Sequence, residues 1–174
     1  MKIGDIAGTS EGRKWLHTEL FPRLVTRLEE GDSVLFVGTD SSWDYKPLFF
    51  NPSLLCDFKT MDKNPNLLPD IVGSIEGCDE LKDDSFNLVI LIGVYEFVER
   101  KEAMFAEINR ILKPEGVALI SLPGRGYYPS PNNSVEPWEV FDRIKPLLVK
   151  ELYIIGESKE KRPTSVNLIA QKCR

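Results

Sequence analysis

The sequence predicts a single α/β domain, a three-layer sandwich on a mostly parallel sheet that closes with an antiparallel strand near its C-terminal end. Three observations carry this expectation. Strand-like and helix-like segments alternate along most of the 174 residues, the order that produces a parallel sheet with both faces covered. Two segments, Ser33 to Gly38 and Leu88 to Gly93, are almost wholly apolar, as strands buried on both faces are. The last two strand candidates are joined only by a short polar connection, so they pair antiparallel or lie side by side with one inserted between others.

Each element follows in chain order. Ser10 and Glu11 are candidates to start a first helix, along which Trp15, Leu16, Leu20, Leu24, Val25 and Leu28 recur at helical spacing. Pro22 lies inside that run and predicts a kink or a break. Gly31-Asp32 ends it. Ser33 to Gly38 is the first strand, followed by polar residues from Thr39 to Lys46 and one or two helical turns at Pro47-Leu48-Phe49-Phe50. Leu54 to Met61 reads as a second strand ending at Asp62, and Asp70 to Gly73 as a short third. Ser85-Phe86-Asn87 leads into the central strand Leu88 to Gly93. Lys101 to Leu112 is a helix with Met104, Ile108, Ile111 and Leu112 on one face, stopped by Lys113-Pro114-Glu115-Gly116. Val117 to Leu122 is the fifth strand. Pro137 to Leu148 starts as a helix with proline in its first turn, though Pro146 can end it early. Leu152 to Ile155 and Ser165 to Gln171 form the final strand pair.

No linker divides the chain, so the expected organisation is one domain over 1–174, with a helical cap over 1–31 and the core over 32–174. Acidic residues outnumber basic ones, 27 to 22, for a net charge of -5. That balance gives no general attraction to nucleic-acid phosphates or anionic membranes, and the cluster Lys159, Lys161 and Arg162 reads as a solvated hairpin tip. The three cysteines, Cys56, Cys78 and Cys173, follow no metal-ligand spacing, and His17 is the single histidine. No metal site is expected, and the thiols read as reduced and cytosolic. No apolar run approaches the roughly 20 residues that span a bilayer, and the first residues lack a signal-peptide core. The expected location is the cytoplasm.

The segment from Asp84 to Gly116, DSFNLVILIGVYEFVERKEAMFAEINRILKPEG, resembles the middle of class I S-adenosylmethionine-dependent methyltransferases of the small-molecule and glycan-modifying kind. The matching residues are Ser85, Phe86, Glu96, Val98, Glu107, Arg110, Leu112, Lys113, Pro114 and Gly116. Asn87, Phe97 and Glu115 depart from the usual Asp, His and Gly. Arg110, Lys113, Pro114 and Gly116 mainly build a helix end and turn, so they point to a scaffold rather than to a chemistry. The likeness extends roughly from Val34 to Gln171 and implies a Rossmann-like core.

The resemblance also implies a cofactor, S-adenosylmethionine, and a set of residues around it. Asp62, about 24 residues after Gly38, stands where the family has an acid that accepts hydrogen bonds from the ribose hydroxyls; the plain alternative is that it opens a loop or caps a helix. Gly38, Thr39, Asp40, Lys63, Ser74, Ile75 and Gly93 complete the implied cofactor set. Ser74 stands where many relatives carry an adenine-facing Asp, and Ile75 is placed to pack on the adenine. After the fifth strand, Leu122 to Pro131 and Trp138 resemble the loop that forms one wall of the acceptor pocket.

The first loop departs most from the family. A glycine-rich turn normally lets the backbone approach the cofactor, whereas Phe36-Val37-Gly38-Thr39-Asp40-Ser41-Ser42 keeps only Gly38. Two readings follow. The short polar residues still bend tightly, with Asp40 meeting the cofactor's amino group, or the site has decayed and the fold serves as a catalytically silent binding or regulatory module. An NAD-dependent oxidoreductase is a third reading, supported only by the shared fold and Asp62. Methyl transfer from a sulfonium needs positioning more than a fixed catalytic triad, so no catalytic residue is assigned. Tyr95, Glu96, Tyr127 and Tyr128 are the candidates near the strand ends, with Tyr95, Tyr127 and Tyr128 the candidates for an acceptor pocket. The implied acceptor is a small molecule or sugar, not a nucleic acid or a membrane component.

Overall fold

In the computed structural model the described residues are 14–38, 56–127, 130–157 and 163–173. They form one seven-stranded sheet in the order β3-β2-β1-β4-β5-β7-β6. Its strands are β1 (Ser33–Val37), β2 (Asp57–Asp62), β3 (Ile71–Val72), β4 (Phe86–Ile92), β5 (Leu112–Pro123), β6 (Leu148–Glu157) and β7 (Pro163–Gln171). Neighbours from β3 through β5 pair in parallel. β7 runs antiparallel between β5 and β6, so both halves of the expectation for the last two strands hold: they pair antiparallel, and one is inserted between others.

Alternation along the strands explains their unbroken apolar composition, because each face of the sheet meets its own layer. Leu35 and Val37 of β1, Val89 and Leu91 of β4, and Ala118 and Ile120 of β5 pack on one face with Met104, Phe105, Ile108 and Ile111. Those four side chains line one side of the helix Lys101–Ile111, here α2. Val34, Phe36, Leu88, Ile90 and Leu119 point the other way, onto Leu16, Leu20, Phe21 and Leu24. The N-terminal segment thus forms the layer on the sheet's second face. It begins as a π-helical turn over Leu16–Leu20 and continues as α1 (Phe21–Val25), with Pro22 in the first turn of α1 where its missing N–H costs nothing. The expected break at the proline is this change of helix type.

Magnitudes decide what holds α1 down. Arg23 and Arg27 both reach Glu151 on β6, at 3.1 and 3.3 Å, with both arginine side chains about half exposed; solvent screening leaves such pairs little net stabilisation. Leu16, Leu20, Phe21 and Leu24 are each almost wholly buried, and each contributes about 2 kcal/mol. The apolar face dominates, and the ion pairs fix its direction.

Two expected boundaries move. Lys113 to Gly116 does stop α2, but it belongs to β5, which starts at Leu112. The register jumps there from Phe86↔Leu112 to Leu88↔Val117, with Glu115 in the left-handed region at φ 66°, so the turn is a multi-residue bulge inside a longer strand. The helix expected from Pro137 to Leu148 is much shorter. A 3-10 turn (Pro137–Glu139) leads into α3 (Val140–Arg143), and Leu148 already opens β6. Lys145 precedes Pro146 and is steered away from the helical region, while an open edge beside β7 recruits the residues beyond. Expectations on residues 1–13, 39–55, 128–129 and 158–162 lie outside the described residues.

The family-like residues near α2 are structural. The Glu107 carboxylate, 8% exposed as a residue, accepts from Arg110 Nη2 at 2.6 Å, from Arg110 Nε at 2.9 Å and from the Cys78 N–H at 3.1 Å. Arg110 also donates to the Leu81 carbonyl at 2.8 Å and pairs with Asp83. The side-chain hydrogen bond to Glu107 raises the guanidinium pKa. Asn87, which departs from the family's Asp, keeps an acceptor in place: its Oδ1 takes the Ser33 N–H at 3.0 Å and Lys113 Nζ at 2.7 Å. Replacing Arg110 with Ala strands a buried carboxylate and is expected to cost about 3 kcal/mol of stability. Urea unfolding checks this, and an unchanged midpoint would show that the pair does not brace the loop from Cys78 to Asp83.

Candidate functional site

The strand order reverses between β1 and β4, and in open α/β sheets ligands bind in the crevice beyond the carboxyl ends of the strands at such a switch point. A cleft lies there. Val37 and Gly38 from the end of β1, Asp62 and Lys63 from the end of β2, Gly73 to Glu76 after β3, and Gly93, Val94, Phe97 and Val98 after β4 form its walls. Of the eight implied cofactor residues, Gly38, Asp62, Lys63, Ser74, Ile75 and Gly93 surround this one cleft. Thr39 and Asp40 lie outside the described residues.

Gly38 sits at φ +83°, and a Cβ there would stand 2.5 Å from Val94 Cγ2. Only glycine satisfies both the left-handed backbone and the closeness of the chain beyond β4. Its N–H donates to the Met61 carbonyl at 2.9 Å, which fixes the turn against β2. Gly93, at φ 67°, makes the matching turn after β4.

Asp62 ends β2 and is half-buried. Its Oδ1 accepts the Asn64 N–H at 2.8 Å, so the loop-opening role is real. Its second oxygen receives no hydrogen bond among the described residues and stays available on the cleft wall. Lys63 is exposed beside it. Ile75 is 3% exposed and belongs to the core, presenting an apolar surface between the two turns.

Ser74 does not stand alone. Its hydroxyl donates to Glu76 Oε2 at 3.1 Å, and its Oγ accepts the Glu76 N–H at 3.3 Å. Glu76 in turn accepts the Arg100 N–H on Oε1 at 2.5 Å, and the Arg100 guanidinium donates to the Glu76 carbonyl at 3.3 Å. The Arg100 N–H above all, with help from the Ser74 hydroxyl, holds the Glu76 carboxyl below the usual carboxylate range although burial opposes it. Glu76 was not among the residues singled out from sequence. An acid in the short run Ser74-Ile75-Glu76-Gly77 carries no spacing signal, and its partner Arg100 is 24 residues away.

The opposite wall is braced by Lys101. Its ammonium donates to the Tyr95 carbonyl at 2.6 Å and to the Val98 carbonyl, and lies 4.5 Å from the centre of the Tyr95 ring. Burial lowers its pKa. This ties the 3-10 turn Tyr95–Phe97 to the start of α2 and sets the positions of Phe97 and Val98. Tyr95 itself is 1% exposed and lies outside the cleft wall. Its hydroxyl accepts from Arg143 Nη1 at 3.3 Å, and burial raises its pKa. Glu96 is half-buried beside it. Tyr127, 60% exposed, stands on the turn after β5, and that turn is tied to the 3-10 turn Pro137–Glu139 by Arg125 donating to Glu139 at 2.5 Å. Tyr128 lies outside the described residues, as does the side chain of His17. No group of three potential metal ligands occurs among the described residues.

Together the walls offer two acidic acceptors, Asp62 and Glu76, at separate places along an apolar floor, with two glycine turns allowing close backbone approach. That suits a flat, partly apolar ligand carrying hydrogen-bond donors at both ends.

Comparison with known proteins agrees with this geometry. A family model described as a methyltransferase domain matches residues 50–120. No curated protein gives a significant match. Among solved structures, a TehB-like SAM-dependent methyltransferase from Corynebacterium glutamicum superposes with a TM-score of 0.62 at 19% identity, covering 92% of this chain and 94% of that one. A SAM-dependent methyltransferase from Aquifex aeolicus gives 0.63 at 17% identity, covering 94% and 95%. The N-methyltransferase NodS from Bradyrhizobium japonicum WM9, in complex with S-adenosyl-L-homocysteine, gives 0.64 at 12% identity, covering 95% and 94%. The fold is therefore the Rossmann-like methyltransferase fold. The family match spans 71 of the 174 residues, and the likenesses to solved structures show the fold.

Replacing Gly38 with Ala should cost about 2–3 kcal/mol, from left-handed strain and overlap with Val94. Adding Val94→Ala should return the overlap part and leave the strain of about 1 kcal/mol. A thermal-unfolding double-mutant cycle with no coupling would disprove the close approach.

Proposed function

We propose that this chain transfers a methyl group from S-adenosylmethionine to a small-molecule or sugar acceptor, with the cofactor held in the cleft at the carboxyl ends of β1, β2 and β4. The observation that carries this reading is the wall that Gly38, Asp62, Ile75 and Gly93 form together. The open oxygen of Asp62 is suited to a ribose hydroxyl, the face of Ile75 to a purine, and the turns at Gly38 and Gly93 to close backbone approach. The cofactor supplies an already activated methyl group. The protein's share is to hold the acceptor about 3 Å from that carbon and in line with the sulfur. Tyr127, on the turn after β5, borders the acceptor side. The acidic balance, with a net charge of -5, favours a small or uncharged acceptor over a polyanion. The preserved cleft weighs against a silent scaffold.

Calorimetric titration with S-adenosylhomocysteine should give micromolar binding. Asp62→Ala should weaken it by roughly tenfold or more, the effect of losing a hydrogen bond to a charged acceptor, and NAD should give no heat. Well-folded protein that neither binds S-adenosylhomocysteine nor gains thermal stability from it would sink the enzyme reading.

A further inference from the structure

Aromatic side chains are costly to leave in water, and Phe21, Phe36, Phe86, Tyr95 and Phe105 are buried accordingly. Among the described residues four others are more than half exposed: Phe97, Tyr127, Trp138 and Phe141. They are not scattered over the surface. Phe97 ends the 3-10 turn after β4, Tyr127 stands on the turn after β5, and Trp138 and Phe141 lie on the 3-10 turn and α3 that follow. All four come from segments beyond the carboxyl ends of two neighbouring strands.

Those segments are fastened to one another. The Val135 N–H donates to the Pro123 carbonyl at 2.9 Å, which brings the start of the 3-10 turn Pro137–Glu139 against the end of β5. Arg125 donates to Glu139 Oε1 at 2.5 Å, Arg143 lies 3.7 Å from Oε2 of the same carboxylate, and Arg143 Nη1 reaches the Tyr95 hydroxyl at 3.3 Å. Each exposed ring is one or two residues from a member of this network in the chain. Both guanidiniums bond within the network, which leaves the rings as the chemistry these segments offer outward. Phe97 also lines the cleft, so the aromatic segments begin at its rim.

We propose that these exposed rings take a flat, uncharged aromatic group of the acceptor. The inference rests on the proposed methyl transfer and goes beyond it, because it selects a small aromatic molecule over a sugar. An acceptor within about 3 Å of the methyl carbon must lie on the surface next to the cleft, and at the β4 end that surface carries Phe97. Rings meet in offset or edge-to-face stacks, an interaction that a saturated ring forms less well. Of the four, only Tyr127 and Trp138 carry a hydrogen-bonding group, too few partners for the several hydroxyls of a sugar.

The test uses 2-naphthol and decahydro-2-naphthol, which share a hydroxyl and a two-ring skeleton and differ in aromaticity. Each is titrated by calorimetry into the whole chain saturated with S-adenosylhomocysteine. The unaltered protein should bind 2-naphthol roughly threefold or more tightly than the saturated compound. Trp138→Ala and Tyr127→Ala should each weaken 2-naphthol by roughly twofold or more, and together by roughly tenfold. Affinity for S-adenosylhomocysteine and the unfolding midpoint should stay unchanged, because both side chains are exposed. Equal binding of the two compounds overturns the inference, and so do variants that leave the affinity for 2-naphthol unchanged. If the protein binds S-adenosylhomocysteine and neither naphthol compound, the inference alone fails. If it does not bind S-adenosylhomocysteine, the methyltransferase reading fails and this inference with it.

Discussion

The contact between the end of β1 and the chain just beyond β4 is the constraint on which the site depends. These strands are neighbours although they are not consecutive, because the strand order turns back on itself there. Gly38 lies so close to Val94 that no side chain fits between them. The cleft begins where the two chains leave that contact, so its floor is set by packing in the sheet and not by loop preference. Everything that lines it inherits this geometry.

Around that contact the walls are braced by polar pairs that join segments distant in sequence. Glu76 grips the start of α2 through Arg100, and Lys101 pulls the turn after β4 down onto the same helix end. Glu107 and Arg110, two turns further along α2, hold the loop that follows the cleft's β3 wall. One short helix therefore organises both walls, and it is itself anchored by four apolar side chains pressed into the sheet. Beyond the cleft, Tyr95, Arg143, Glu139 and Arg125 connect the turn after β4 with the turn after β5. The two halves of the site are built as one framework.

Much of the fold could be read in the sequence, and the reason is periodicity. β1, β4 and α2 are long or strongly patterned, and each was placed to within two residues. The helix after Pro137 was not, because its pattern continues past the point where an open sheet edge captures Leu148 and the residues beyond. The bulge at Lys113 to Gly116 read as a plain turn because local chemistry marks the reversal while only pairing with Phe86 reveals the strand. That Gly38, Asp62, Ile75 and Gly93 lie around one cleft was legible because they stand at or after the ends of strands that were themselves legible. Tyr95 looked like a pocket residue for the same reason. Its buried position is decided by a 3-10 turn and a lysine that no spacing rule connects to it.

The sequence by itself determined the layers, because alternating apolar side chains can be buried only by covering both faces of the sheet. It also placed glycines and an acid at strand ends, since these answer to the local backbone. Tertiary structure alone decided that β7 lies between β5 and β6, that Asn87 serves in the place of a carboxylate, and that Glu76 joins the cleft. Those outcomes depend on groups separated by tens of residues meeting at hydrogen-bond distance. Such meetings are fixed by how the sheet is ordered and packed, and no stretch of chain records them alone.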